Sequence, residues 1–177
     1  MLTMRAETST LLVIDFQARL MPAIANAEEV VANARRLLAA AALFNIPILF
    51  TEQNAQGLGS TIEDLSAPPG AIAHKVTFDA CRSPGFLERL GNRPDVTVAG
   101  CEAHVCVLQT VLGLLDAGRR VFLVRDAVGA RTSESKETAI RRMERHGAEI
   151  VTTEMAVFEW LETSENAHFR GALSLVK

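Results

Sequence analysis

The sequence has few cysteines, no excess of basic residues and no long apolar run, and each shortage excludes a class of protein. Three cysteines among 177 residues are an odd number, so no disulfide framework is indicated. A formal net charge of −3 without a concentrated basic stretch argues against nucleic-acid binding. No apolar run approaches the ~20 residues that cross a bilayer. We therefore expect neither a nucleic-acid partner nor a membrane partner.

The first residues also lack the features of an export signal. Residues 1–10 include Arg5 and Glu7 and have neither an apolar central region nor a cleavage signal. Together with the odd number of cysteines, this predicts a cytoplasmic protein whose thiols are reduced. Each thiol is then free to serve in packing, as a metal ligand or as a nucleophile.

Short β-branched runs alternate with longer helical patterns, which is typical of a parallel sheet covered on both faces. The chain, with 49% apolar residues, is long enough for one domain with its own core. No composition shift and no internal repeat divides it. We predict a single domain over residues 1–177 with a three-layer α/β/α fold. Its sheet is expected to be doubly wound, mostly parallel and of about six strands.

The boundaries of the elements follow from apolar periodicity. Strands are predicted at Leu11–Ile14, Ile46–Phe50, Val96–Ala99, Val121–Val124, Glu149–Val151 and, from a weaker pattern, Ala71–Ala73. Helices are predicted from Asn26, which resembles a capping box with Glu29, to Asn45, and over Pro84–Leu90, His104–Ala117, Glu134–His146 and Glu154–Leu161. Gln53–Gly70 is predicted to be a long surface loop. The apolar tail Trp160–Lys177 is expected to pack on its own subunit or on a neighbour.

Ligands of an open parallel sheet bind beyond the carboxyl ends of its strands. The candidate site residues are therefore those that follow the predicted strands: Asp15, Thr51, Glu52, Gly100–Cys106 and Asp126. Asp15 directly follows the first predicted strand, where a carboxylate is costly unless it is paired or used as a base; a structural turn aspartate is the alternative. Cys106 lies near the first turn of a predicted helix, where free amide groups favour an anion. This position predicts a lowered thiol pKa and a nucleophile, although buried packing is common for cysteine.

Other potential site residues are weaker candidates when taken alone. Cys101, His104 and Cys106 do not follow a standard zinc spacing, so we predict no metal cluster there. Lys75, in the segment HKVTF of residues 74–78, says little by itself because most lysines are solvated. Cys81 is expected to be a packing residue.

Three segments together resemble the isochorismatase-like cysteine hydrolase family: LLVIDFQ at 11–17, HKVTF at 74–78 and GCEAHVCV at 100–107. The likeness runs essentially from end to end and includes DAVGAR at 126–131. It implies a catalytic triad of Asp15, Lys75 and Cys106. It also implies a cis peptide bond between Cys101 and Glu102, and an oxyanion hole made by the backbone N–H groups of Glu102 and Cys106.

The chain departs from one branch of that family, the nicotinamidases. These carry an aspartate and histidines after the second strand that bind a metal, whereas residues 51–54 here read TEQN. Ala103 also stands where many members have threonine. We therefore expect no metal and no other cofactor. The resemblance implies an amidohydrolase that cleaves a C–N bond of a small molecule through Cys106; vinyl-ether hydrolysis of the isochorismatase type, or binding without turnover, are the alternatives.

The substrate pocket and the assembly are predicted less specifically. Substrate contacts are expected from Phe16, Gln17, Gln53 and Phe78, because these residues flank the implied triad. The family resemblance also implies a homo-oligomer, either a dimer or a tetramer. The identity of the small-molecule substrate does not follow from any spacing in the sequence.

Overall fold

The computed structural model describes residues 2–177, and its centre is one sheet of six strands. The strands are β1 (Ser9–Ile14), β2 (Ile48–Gln53), β3 (Ile72–Lys75), β4 (Asp95–Cys101), β5 (Arg120–Gly129) and β6 (Glu149–Val151). Their order is β3-β2-β1-β4-β5-β6, and every neighbouring pair is parallel. Strand order reverses between β1 and β4, which is the point where ligands bind in doubly wound folds. The predicted fold class is therefore confirmed, including the weakly indicated strand β3.

Helices cover both faces of this sheet. They are α1 (Ala27–Leu43), α2 (Ala55–Leu58), α3 (Phe86–Leu90), α4 (Leu108–Asp116), α5 (Ser133–Arg145), α6 (Thr153–Leu161) and α7 (Phe169–Val176). The core on one face includes residues of α1, α6 and α7, and the core on the other includes residues of α3, α4 and α5. Because β1 and β4 are buried along their whole length, both read as continuous apolar runs rather than as alternating patterns.

Two helix starts differ from the prediction. Asn26 has a left-handed backbone with φ 53° and makes no side-chain capping hydrogen bond, so the predicted capping box is wrong. The helix expected from His104 begins instead with a π-helical turn, Ala103–Val107, in which the Val107 N–H donates to the Glu102 carbonyl oxygen at 3.2 Å. Turns of this kind are rare and are frequent at functional sites. Cys106 therefore lies in a widened turn and not in the first turn of α4.

The segment predicted as a long surface loop is held against the sheet by hydrogen bonds. Gln53 belongs to β2, and Thr61 forms an isolated antiparallel bridge with Gln17. The buried Glu52 carboxylate accepts hydrogen bonds from the Thr61 N–H at 2.7 Å and from Thr61 Oγ1 at 2.8 Å. Periodicity could not indicate this anchoring because the contacts join residues that are distant in sequence.

The C-terminal tail packs on its own subunit. Ala172 of α7 is fully buried, and a Cβ on Gly171 would lie 3.3 Å from Leu43 Cδ2 of α1. The rings of Phe44 and His168 meet edge-on with their centroids 6.0 Å apart. Of the two places predicted for the tail, the structure selects the surface of α1.

Gly100 of β4 lies against β1 at a point where no side chain fits. A Cβ on Gly100 would lie 2.6 Å from Ile14 Cβ and 2.7 Å from the Ile14 carbonyl oxygen. We expect Gly100→Ala to lower the free energy of unfolding by about 3 kcal/mol, because two central strands must separate. Urea unfolding measures this loss. Gly118→Ala is the control, because Gly118 has φ 76° but a Cβ added there would have no atom within 4 Å; equal losses in both variants would contradict the steric explanation.

Candidate active site

The structure brings Asp15, Lys75 and Cys106 together at the carboxyl edge of the sheet. Asp15 directly follows β1, Lys75 ends β3, and Cys106 lies in the π-helical turn that follows β4. Lys75 Nζ donates a hydrogen bond to Asp15 Oδ2 at 2.7 Å. Both groups also shift the pKa of the Cys106 thiol, which the Asp15 charge raises and the Lys75 charge lowers. Three side chains that are dispersed in the sequence thus form one contiguous cluster.

Asp15 is held by β2 as well as by Lys75. Its backbone is left-handed, with φ 53°, a conformation that aspartate tolerates better than most residues. Its N–H donates to the Thr51 carbonyl oxygen at 3.1 Å, and its Oδ1 accepts from Thr51 Oγ1 at 2.6 Å. Each carboxylate oxygen therefore has a donor within the protein, as a fully buried carboxylate requires.

The Lys75 ammonium donates hydrogen bonds to two oxygen acceptors. Nζ donates to Asp15 Oδ2 and, at 3.0 Å, to Gln53 Oε1, and the side chain is only 1% exposed. An ammonium carries three N–H donors. Since Asp15 and Gln53 occupy two of them, the third is available to the sulfur of Cys106.

The pKa of the Cys106 thiol is raised to about 12, chiefly by burial and also by the neighbouring Asp15 carboxylate, whereas Lys75 opposes the shift. The prediction of a lowered pKa from the position of Cys106 along its helix is therefore wrong. The sequence could not show that the residue is only 6% exposed, or that a carboxylate faces the sulfur. At neutral pH the resting thiol keeps its proton, and a base must remove it before the sulfur can attack.

The turn between β4 and Cys106 contains the residues predicted to form the oxyanion hole. The peptide bond between Cys101 and Glu102 is cis. The Glu102 carboxylate, which is 14% exposed, accepts a hydrogen bond from Arg131 Nε at 2.7 Å. Arg131 belongs to the segment after β5, so the loop before α5 is tied to this turn. Oxyanion binding by the N–H groups of Glu102 and Cys106 stays a prediction.

Three of the four residues predicted to contact substrate use their side chains within the protein. Phe16 is 1% exposed and belongs to the core that faces α1. The Gln17 amide bonds to the backbone N–H and carbonyl of Gln53 at 2.8 and 3.0 Å. Gln53 in turn binds Lys75 and donates from Nε2 to the Val76 carbonyl oxygen at 2.8 Å. Phe78 is 51% exposed. Of the four side chains it is the one most accessible to a substrate, and its contact with substrate stays a prediction.

Thr51 is a member of the cluster to which the sequence assigned no role, although it was a candidate as a residue that follows a predicted strand. The apolar pattern places it after the second predicted strand, whereas the structure places it inside β2, with its hydroxyl on Asp15. The next residue, Glu52, instead contacts Thr61. The alternation of side chains along a strand could have indicated this role of Thr51. Residues two apart face the same side of a strand, so Thr51 shares a side with Gln53.

Cys101, His104 and Cys106 point to different surroundings. The Cys101 sulfur lies beside Gly129, His104 lines a cavity against α5, and Cys106 faces Asp15. Within residues 2–177, no three histidine, cysteine, aspartate or glutamate side chains are grouped so that they could hold a metal ion. In the same part of the chain, no helix has the length and apolarity needed to cross a membrane.

Residues 9–155 match the model of the isochorismatase domain. The chain belongs to the isochorismatase family. Isochorismatase domain-containing protein 2A of Mus musculus is 32% identical over 174 residues, which cover 97% of this chain and 84% of the mouse protein. The secreted isochorismatase effector Isc1 of Phytophthora sojae is 33% identical over 178 residues, which cover 96% of this chain and 85% of the effector.

Solved structures show the same fold. MAR1 ribonuclease from Caenorhabditis elegans superposes with a TM-score of 0.93 at 33% identity, over 98% of this chain and 92% of that chain. YcaC from Pseudomonas aeruginosa, solved with hexane-2,5-diol and covalent acrylamide, superposes with a TM-score of 0.91 at 25% identity, over 98% and 91% of the two chains. YcaC from Escherichia coli, described as an octameric hydrolase of unknown specificity, has a TM-score of 0.91 at 23% identity over 99% and 89%.

These names leave three sequence predictions open. The relatives include a secreted effector, so cytoplasmic localisation of this chain stays a prediction. One structural neighbour is an octamer, whereas the sequence predicts a dimer or tetramer. Another is named a ribonuclease, whereas the charge of this chain predicts no nucleic-acid partner.

Proposed function

We propose that this member of the isochorismatase family is a metal-independent amidohydrolase that cleaves a C–N bond of a small molecule through Cys106. The observation that carries the proposal is the buried cluster of Asp15, Lys75 and Cys106, in which Lys75 donates to Asp15 and both groups act on the pKa of the thiol. A carboxylate, an ammonium and a thiol placed together are the groups of an activated cysteine nucleophile. Burying a charged pair is costly unless it serves structure or function.

The first half of the reaction forms an acyl-enzyme. Asp15 takes the proton of the Cys106 thiol, and Lys75 stabilises the resulting thiolate. The sulfur attacks the carbonyl carbon, and the carbonyl π electrons move to oxygen, where the N–H groups of Glu102 and Cys106 bind the oxyanion. When the tetrahedral intermediate collapses, the C–N bond breaks and protonated Asp15 gives its proton to the leaving nitrogen. The products are a thioester and a free amine or ammonia.

The second half returns the enzyme to its starting state. Asp15, again a carboxylate, takes a proton from a water molecule as the water oxygen attacks the thioester carbon. The C–S bond then breaks, the carboxylic acid product leaves, and the proton on Asp15 returns to the Cys106 sulfur. Every proton is exchanged among water, Asp15, Cys106 and the leaving group, so this scheme requires no cofactor.

Two observations favour a small amide over RNA. Cys106 is only 6% exposed, so a reacting atom must enter a confined space. The formal net charge is −3, whereas RNA binding depends on clustered positive charge.

Replacing Cys106 with alanine tests the proposal directly. The wild-type protein is screened against small primary amides, carbamoyl compounds, a vinyl ether and RNA, and we expect turnover among the compounds with a C–N bond. Cys106→Ala should reduce that turnover by about 10³-fold or more, because no other group can form the thioester. The acyl-enzyme is sought by mass spectrometry of intact protein.

Cys81→Ala is the matched control, since Cys81 lies outside the cluster and its pKa is raised to about 12 mainly by burial. Full activity of Cys106→Ala on the amide would overturn covalent catalysis. Vinyl-ether cleavage that survives Cys106→Ala but not Asp15→Asn would support the isochorismatase-type alternative. A screen without turnover, with ligand binding intact, would support a binding protein.

We also infer that the chain acts as one domain over residues 1–177, in the cytoplasm, as a dimer or tetramer. Val76 and Phe78, which follow Lys75, are 81% and 51% exposed. Large exposed apolar side chains close to a site are typical of surfaces that another protein chain covers. This supports an assembly in which the site lies near a subunit interface.

A further inference from the structure

The Thr51 hydroxyl is buried directly against the Asp15 carboxylate. Thr51 is 1% exposed and Asp15 is fully buried, and Thr51 Oγ1 donates to Asp15 Oδ1 at 2.6 Å. We propose that Thr51 is a positioning residue that keeps the proton on the Cys106 thiol in the resting site by stabilising Asp15 as a carboxylate. This inference rests on the proposed function, in which Asp15 is the base for Cys106.

Each group that faces Asp15 has a different effect on its charge. From β3, Lys75 donates to Oδ2 at 2.7 Å and favours the charged carboxylate. From the π-helical turn, the Cys106 thiol lies near the carboxylate, and burial and the Asp15 charge both raise the pKa of the thiol. From β2, Thr51 holds Asp15 twice, because its carbonyl oxygen accepts from the Asp15 N–H at 3.1 Å and its hydroxyl donates to Oδ1.

The hydroxyl bond acts on one form of Asp15 more than on the other. A charged oxygen accepts a stronger hydrogen bond than a neutral carboxyl oxygen. If Oδ1 itself were protonated, the Thr51 hydroxyl would have to turn and accept, because two donors cannot face each other. A hydrogen bond to the charged form of an acid favours that form. Thr51 therefore disfavours transfer of the proton from Cys106 to Asp15.

One proton shared between Asp15 and Cys106 has two main positions. In one the pair is carboxylate and thiol, and in the other it is carboxylic acid and thiolate. Only the thiolate attacks electrophiles. By favouring the first arrangement, Thr51 lowers the reactivity of the resting sulfur. The sulfur then attacks chiefly when a substrate is bound, because the negative charge can pass to the substrate's carbonyl oxygen.

Iodoacetamide alkylation of Cys106 across pH, followed by peptide mass spectrometry, tests the inference without a known substrate. We expect Thr51→Val, which keeps the shape but not the hydroxyl, to alkylate about tenfold faster near neutral pH. Thr51→Ser, which restores the hydroxyl, should return the alkylation rate towards wild type. If the valine variant does not fold, Thr51→Ala removes the same donor.

Thr97→Val is the matched control for loss of a buried hydroxyl. Thr97 is a fully buried residue of β4 whose hydroxyl contacts Met4 Sδ at 3.3 Å, so its loss should change stability but not the alkylation profile. Cys81 in each sample provides an internal reference rate. An unmoved profile in folded Thr51→Val would overturn the inference even if its stability falls. If Asp15→Asn also leaves the alkylation rate of Cys106 unchanged, then the proposed role of Asp15 as the base is wrong, and not only the role of Thr51.

Discussion

Replacing Asp15 with asparagine is expected to make Cys106 more reactive with iodoacetamide while turnover of an amide substrate is lost. The Asp15 carboxylate raises the pKa of the thiol by its charge and by hydrogen bonding, whereas Lys75 lowers it. In Asp15→Asn the first effect is gone and the Lys75 ammonium has no carboxylate, so the thiolate becomes its nearest anion. The thiol pKa therefore falls from about 12, and alkylation at pH 8 should be about tenfold faster or more.

Two controls make this result specific. Asp126→Asn removes another aspartate of the sheet, whose Oδ1 accepts from the Thr153 N–H and hydroxyl at 2.8 and 2.9 Å, and should leave Cys106 unchanged. Cys81 in the same sample has a pKa raised by burial and by Asp79 rather than by Asp15, so its rate should stay constant. Slower alkylation of Cys106 in Asp15→Asn would show that Asp15 activates the resting thiol rather than restraining it.

Replacing Lys75 with methionine is expected to destabilise the fold more than any other change at the site. Lys75 and Asp15 are 1% and 0% exposed, and removal of one partner leaves the other as an uncompensated buried charge. We expect the free energy of unfolding to fall by about 3–5 kcal/mol, measured by urea unfolding with circular dichroism. The Cys106 thiol should also alkylate more slowly, because the group that lowers its pKa is gone.

The double variant Asp15→Asn with Lys75→Met separates loss of charge balance from loss of packing. It removes both charges, so it should recover a large part of the stability lost in Lys75→Met. Lys136→Met is the control, because Lys136 is a half-buried lysine whose pKa burial lowers, and loss of its charge should cost little. A double variant as unstable as Lys75→Met alone would mean that packing of the lysine stem, and not the buried carboxylate, accounts for the loss.

Together, these variants test how the site restrains its nucleophile. Asp15 and Thr51 keep the proton on sulfur, whereas Lys75 favours its departure. The alkylation rates should therefore rank with Asp15→Asn fastest, followed by Thr51→Val, wild type and Lys75→Met. In the proposed mechanism, such restraint limits side reactions of the Cys106 thiol until a substrate is bound.

The sequence by itself determined the fold class and indicated two of the three residues of the proposed triad. Runs such as Leu11–Ile14 are continuous because their strands are buried on both faces, and the residue after such a run in a parallel sheet lies at the ligand-binding edge. That rule located Asp15, and the turn after β4 located Cys106. Lys75 was assigned only through family resemblance, because β3 has four residues and its pattern is too short to place a lysine at the site.

Only the tertiary structure decided the chemical state of the site. The position of Cys106 along the chain predicted a lowered pKa, yet burial and the neighbouring Asp15 raise it to about 12. Likewise, Gln53 was expected to bind substrate but accepts a hydrogen bond from Lys75. The physical reason is the same in both cases. Local sequence fixes strands and turns, whereas a pKa and a hydrogen-bond partner depend on burial and on groups brought from distant strands.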